Sequence, residues 1–201
     1  MTLHAFADES RRGDTYLMAM AVVDPSELAA LRKAVRGLLF SGQRELHCKK
    51  ESPSRRRLIA STLVDFPVRV WLYTRSCRDT AEVARQECLA RMVDDLLAAG
   101  GQRLVLDTRE NRDRQDEATI RAVLGGQPRW SGLTYEHLDG GQELVLGVPD
   151  TVAWCYGAGG DWRRRIAPAV ADVIQVRPGL SRVVQAPAPG QRKARSSTVR
   201  T

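Results

Sequence analysis

No stretch of this 201-residue chain reaches the roughly 18–20 uninterrupted apolar residues that a membrane helix needs, because charged side chains break every apolar run. Mean hydropathy is -0.33, and the opening MTLHAFADES lacks the basic segment followed by an apolar one that directs export, so the expected location is the cytoplasm. The four cysteines, Cys48, Cys77, Cys88 and Cys155, contain no CxxC pair. That excludes a spelled-out zinc knuckle or disulfide framework and leaves free, mostly buried thiols as the expectation. There is no GxSxG element or reactive-cysteine pattern, which argues against an acyl-transfer hydrolase. The glycines at Gly157, Gly159 and Gly160 follow no strand and no P-loop lysine, so they read as a helix break rather than a nucleotide cradle. No internal repeat is visible.

What is present is an ordinary globular composition, 43% hydrophobic and 27% charged, enough for one domain with a sizeable core. Net charge is +7, but Arg192, Lys193, Arg195 and Arg200 fall in residues 185–201, which hold no acid. The rest of the chain is therefore only mildly basic, at +3 from 27 basic and 24 acidic residues. A domain over 1–184 followed by a disordered basic tail over 185–201, rich in Pro and Ser, is expected. Such a charge distribution suits a polyanionic partner such as nucleic acid, DNA or RNA.

Along the chain, strands and helices alternate. Leu3–Ala7 and Thr15–Val23 read as a hairpin turning at RRGD, and Asp24-Pro25-Ser26-Glu27 starts a helix with Leu28, Leu31, Val35, Leu38 and Leu39 on one face. A short strand is expected around Glu45-Leu46-His47, then a helix from Ser52-Pro53 and a strand over Val68–Thr74. Asp79 with Glu82 caps a helix to Ala99, and Arg103–Leu106 forms a strand ending at Asp107. A polar helix over Asp113–Leu124, a strand near Leu133–His137 and a helix containing Val152, Ala153, Trp154 and Tyr156 complete a mixed α/β pattern.

Three aspartates stand where a strand stops or a helix starts: Asp8 after HAFA, Asp107 after RLVL, and Asp150 after LVLGVP. Any one alone is most simply a cap. Together, at one edge of an α/β sheet, they repel unless Mg²⁺ or Mn²⁺ neutralises them, and two such ions can cleave a phosphodiester. The strip Glu45 to Glu51 adds a fourth group. As a strand it places Glu45, His47 and Lys49 on one face; as a helix or loop Glu51 takes the acid's place; as a solvated charged loop it does neither. His47 can relay protons, and Lys49 or Lys50 can hold a phosphate. Asp14, Asp113, Asp116 and Asp139 read as surface or capping residues, with Asp116 a reserve ligand. His4 and His137 read as strand residues, Trp154, Tyr156 and Trp162 as core, and Arg163 to Arg165 as a solvated face.

The pieces FADES, ELHCKKES, LVLDTRE and VPDTVAW, spanning residues 6 to 154, resemble the bacterial family of unknown function 3800, within the ribonuclease-H-like superfamily. The resemblance implies a ribonuclease-H-like α/β domain in which a mixed sheet presents four acids to two Mg²⁺ or Mn²⁺ ions for phosphodiester cleavage. The matching positions are Asp8, Glu45 or Glu51, Asp107 and Asp150. Arg11 replaces the family's usual glycine after DES, and Pro149 stands where alanine is common; proline fits the first turn of a helix. The expected function is a metal-dependent nuclease, the alternative an inactive binding module of the same fold.

Overall fold

The computed structural model describes residues 2–78, 80–109, 112–125 and 131–179. The basic tail over 185–201 and the capping Asp79 lie outside the described residues. Strand β1 (Leu3–Arg12) turns through Gly13, at φ 55°, and Asp14 into β2 (Thr15–Val23), so a two-residue turn replaces the expected four. After Pro25 come α1 (Leu28–Gly37) and α2 (Pro53–Val64), then β3 (Arg69–Ser76), α3 (Ala81–Ala98) and β4 (Gly101–Asp107). The chain continues through α4 (Asp113–Val123), β5 (Thr134–Leu138), α5 (Gly147–Ala158), α6 (Gly160–Ile166) and β6 (Val170–Gln175). Caps explain several starts: Asp24 accepts from Ser26 N–H at the 3₁₀ turn that leads into α1, Ser52 from Arg55 N–H, and Thr80 from Val83 N–H.

The strands form one sheet in the order β5-β4-β1-β2-β3-β6. The β1–β2 and β2–β3 pairs are antiparallel, and the remaining pairs are parallel. Because helices cover both faces, the central strands are apolar on both sides, which is why Thr15–Val23 reads as a continuous apolar run. Phe6, Ala19, Ala21, Leu72 and Val105 pack under α1, α2, α5 and α6, while Ala5, Ala7, Met18, Met20, Leu104 and Leu106 pack under α3 and α4. Among the described residues no helix is long and apolar enough to cross a membrane, and all four cysteines are free and buried.

Two further expectations need correction. β1 does not stop at Ala7: its ladder with β2 continues to Arg12, whereas its ladder with β4 ends at Ala7–Leu106. Asp8 therefore sits inside one strand but at the end of the parallel pairing. Residues 45–47 form no strand; they run as a loop into a single 3₁₀ turn over Cys48–Lys50, so no period-two face unites Glu45, His47 and Lys49. The edge strand β6 is absent from the sequence reading because most of its residues are exposed on both faces, which leaves it no burial pattern to follow.

Candidate active site

In-register parallel pairing of Ala7 with Leu106 puts Asp8 and Asp107 side by side. Strand alternation turns both toward the face shared by Phe6 and Val105, the face that α5 covers. The third acid comes from that helix. Asp150 lies in the first turn of α5, where the helix dipole favours a carboxylate, and Pro149 sits just before it among N–H groups that have no partner within the helix. Gly157 lets α5 approach the hairpin: a Cβ there would come 2.8 Å from both Arg12 Cγ and Leu17 Cδ1. The fourth acid, Glu45, arrives on the loop before the 3₁₀ turn. Gly140 makes room for it, since a Cβ at 140 would stand 2.9 Å from Glu45 Cβ and Oε2.

Asp8, Glu45, Asp107 and Asp150, with His47, line one cavity of about 100 Å³. Their titration reflects their crowding. Burial, then Asp150 and Asp107, push Asp8 well above the usual carboxylate range. Burial, then Glu45 and Asp150, push Asp107 up to about 6. Burial also raises Asp150, against a hydrogen bond from Cys48 N–H at 2.5 Å. That bond, with His47 Nδ1 at 3.8 Å from Asp150 Oδ1, ties the loop to α5. Among the described residues no three His, Cys, Asp or Glu side chains already converge into a metal-holding group; the acids ring the cavity.

The cavity shares His47 and Asp150 with a neighbouring groove of about 350 Å³, lined also by Arg11, Arg12, Lys49, Arg109 and Trp154. The guanidinium of Arg12 lies 5.0 Å, and that of Arg56 4.2 Å, from the Trp154 ring centre, so this tryptophan is both partly buried core and groove wall. His47 and Lys49 thus reach the site by way of the 3₁₀ turn, not by strand alternation. The same turn carries Glu51 away: it is buried, accepts from Gln43 Nε2 at 2.8 Å and lies 3.5 Å from Arg55 Nε. Glu51 lines neither cavity, and Glu45 is the acid delivered.

Asp116, the reserve ligand, is also elsewhere. It is fully buried under the opposite face, where Arg85 Nε and Nη2 donate at 2.8 and 2.5 Å and His137 Nε2 lies at 3.3 Å. Burial opposes its ionisation, but the bonds from Arg85 and His137 hold its carboxyl below the usual range. Arg85 also bonds Glu9, the next residue of β1 after Asp8, and Tyr16 Oη at 3.1 Å. Arg109 pairs with the same Glu9, and the positive charges of Arg109 and Arg85 both favour ionisation of Asp8. Neither arginine stands out in the sequence, where the one signal is Arg109 two residues after Asp107. Asp139 and Asp113 accept local backbone N–H groups, as capping residues should. The helix break at Gly159 and Gly160, at φ 71° and 52°, is present.

No protein-family model and no curated protein matches the chain. Among solved structures it is similar to the ribonuclease HII in a PCNA:RNase HII complex from Archaeoglobus fulgidus, with a TM-score of 0.53 and 17% identity. The match covers 79% of this chain and 73% of that one. At such identity the likeness is one of fold: the chain is a ribonuclease-H-like mixed sheet flanked by helices.

Proposed function

We propose that this protein is a metal-dependent nuclease that hydrolyses phosphodiester bonds of DNA or RNA in the cytoplasm, and that it belongs to the family of unknown function 3800. One observation carries the reading: four acids from distant parts of the chain ring a cavity that shares His47 and Asp150 with a groove lined by Arg11, Arg12, Lys49 and Arg109. Mutually repelling, hard oxygen donors are the chemistry that suits Mg²⁺ or Mn²⁺, and Asp8, Glu45, Asp107 and Asp150 would hold the ions once their side chains turned into the cavity they line. Bound there, the metal would supply activation of water and stabilisation of the leaving oxygen. The chain's own residues do the rest. Lys49 and Arg109 receive the phosphate charge, Arg11 and Arg12 extend that attraction along the groove, and Trp154 offers a ring edge to a base. His47 has Nδ1 at 3.8 Å from Asp150 Oδ1, which leaves Nε2 to exchange a proton with the leaving group or water.

The absence of a ready-made ligand group among the described residues favours a second reading, a ribonuclease-H-like binding module that has lost catalysis. A Mn²⁺ titration followed by thermal unfolding separates the two. At a hundredfold excess over Kd the nuclease gains about 2.7 kcal/mol, roughly 5–10 °C for a chain of this size, whereas a module without the site shows no shift. Gly140→Ala offers a check that substitutes none of the acids. Its methyl group must push Glu45 out of position, so the Mn²⁺ response and cleavage should fall at least tenfold, with a stability loss of about 1–3 kcal/mol. Full cleavage by this variant would remove Glu45 from the proposed site.

A further inference from the structure

The acid cavity is bordered on another edge by a second basic surface. Arg44 and Gly141, next in sequence to Glu45 and Gly140, line a larger cavity of about 440 Å³ together with Arg32, Arg36 and Phe40. The two segments touch: a Cβ at Gly141 would lie 3.4 Å from Arg44 Nε, just as one at Gly140 would meet Glu45. Arg32 is neutralised by Glu143, at 3.0 Å from Nε to Oε1. Arg36 and Arg44 are exposed and make no ion pair among the described residues. Phe40 is 59% exposed on the same rim, with the Arg55 guanidinium 4.1 Å from its ring centre.

Unpaired arginines around an exposed aromatic ring attract phosphates and stack bases, whereas an acidic peptide would use the charges and leave the ring idle. Cations thus adjoin the acid cavity at two places: Arg11, Arg12, Lys49 and the Glu9-paired Arg109 where the groove shares His47 and Asp150 with it, and Arg36 and Arg44 where Arg44 and Gly141 follow the chain from Glu45 and Gly140. Resting on the nuclease reading, we infer that the Arg36–Arg44–Phe40 cavity is a second strand-binding subsite. The nucleic acid crosses the acid cavity, continues on both sides of it, and is single-stranded where it passes Phe40. The substrate is therefore cut internally.

Two experiments on the full chain test this. In chelator, anisotropy of a labelled single strand is followed against salt. R36Q/R44Q should weaken binding about tenfold or more and lower the salt slope by about 1.4, the loss of two single-strand phosphate contacts. F40A should weaken single-strand binding about tenfold and leave duplex binding unchanged. In Mn²⁺, a covalently closed single-stranded circle of DNA or RNA should be opened, as only internal cleavage can do. Wild-type binding with R36Q/R44Q unaltered, equal losses on duplex and single strand for F40A, or degradation of linear strands beside intact circles would each overturn the subsite while leaving a nuclease. Failure of the wild type either to bind or to cleave any strand would defeat the nuclease reading itself, and the subsite with it.

Discussion

Replacing Asp107 with asparagine will raise the thermal midpoint of the metal-free protein at pH 7 while removing divalent-ion-dependent cleavage. In the folded chain its carboxyl titrates at about 6, lifted by burial and then by Glu45 and Asp150, against an ordinary value of 3.8. A group raised on folding stabilises the fold below its unfolded pKa and loses that contribution as pH rises through the folded one. Between pH 4 and pH 6 and above, ionising Asp107 therefore costs stability. The full shift corresponds to roughly 3 kcal/mol; partial exposure to water reduces the expected gain for Asp107→Asn to about 1–2 kcal/mol, or roughly 3–8 °C. Near pH 3 the gain should vanish, because wild-type Asp107 is then protonated in both states. Mn²⁺ should reverse the order, since only the wild type keeps the full donor set. Cleavage should fall on the order of 10³-fold, the rate equivalent of several kcal/mol of charge stabilisation. A midpoint that drops at pH 7, or a Mn²⁺ shift as large in the variant as in the wild type, would separate Asp107 from the cluster. The same sign applies to Asp8, whose carboxyl is raised by burial and by Asp150 and Asp107.

The opposite result is expected on the other face of the sheet. Arg85 is 2% exposed and compensates two buried acids, Glu9 and Asp116, while also bonding Tyr16. Arg85→Met removes the cation and leaves both carboxylates buried without it, at a cost of about 3–5 kcal/mol, roughly 10 °C or more by circular dichroism. The triple variant R85M/E9Q/D116N should recover most of that loss, because the expense lies in buried charge left with only Arg109 and His137 beside it rather than in the absence of a salt bridge. Asp116 is held below the usual carboxylate range by Arg85 and His137 despite its burial, so its contribution is present at neutral pH and disappears as pH falls through its folded value. Metal response should survive in the triple variant better than in Asp107→Asn, since Arg85 and Asp116 stand on α3 and α4, Glu9 lines the groove rather than the acid cavity, and that cavity lies beneath α5. A loss below about 1 kcal/mol for Arg85→Met would show that water reaches the network and solvates its acids.

The two faces of one short segment show how charge acquires its meaning. Asp8 and Glu9 are chemically alike and adjacent, yet alternation along β1 sends one toward acids that raise its pKa and the other toward Arg85 and Arg109. A carboxylate among carboxylates is poised for a cation from solution; a carboxylate between arginines is already satisfied. The first arrangement disfavours the metal-free fold, and the second supports it.

Much of this arrangement is legible along the chain. The apolar runs of β1, β2 and β4, the proline-marked starts of α1 and α2, and the glycine break after α5 follow from rules that operate within a few residues. Those rules also place Asp107 at a strand end and Asp150 in a first helical turn, and with Asp8 they carry the larger part of the candidate site. What required the tertiary structure depends on partners far away in sequence. Glu45 rather than Glu51 faces the acids because a 3₁₀ turn over Cys48–Lys50, anchored by Cys48 N–H to an aspartate 102 residues later, redirects the loop. Arg85 becomes a buried counter-ion only because β1 and α4 bring it Glu9 and Asp116, 76 and 31 residues distant. Periodicity and capping are energies of near neighbours, so a single sequence displays them. The energy of a buried charge is set by whichever groups the fold gathers around it, and that gathering is written in no local pattern.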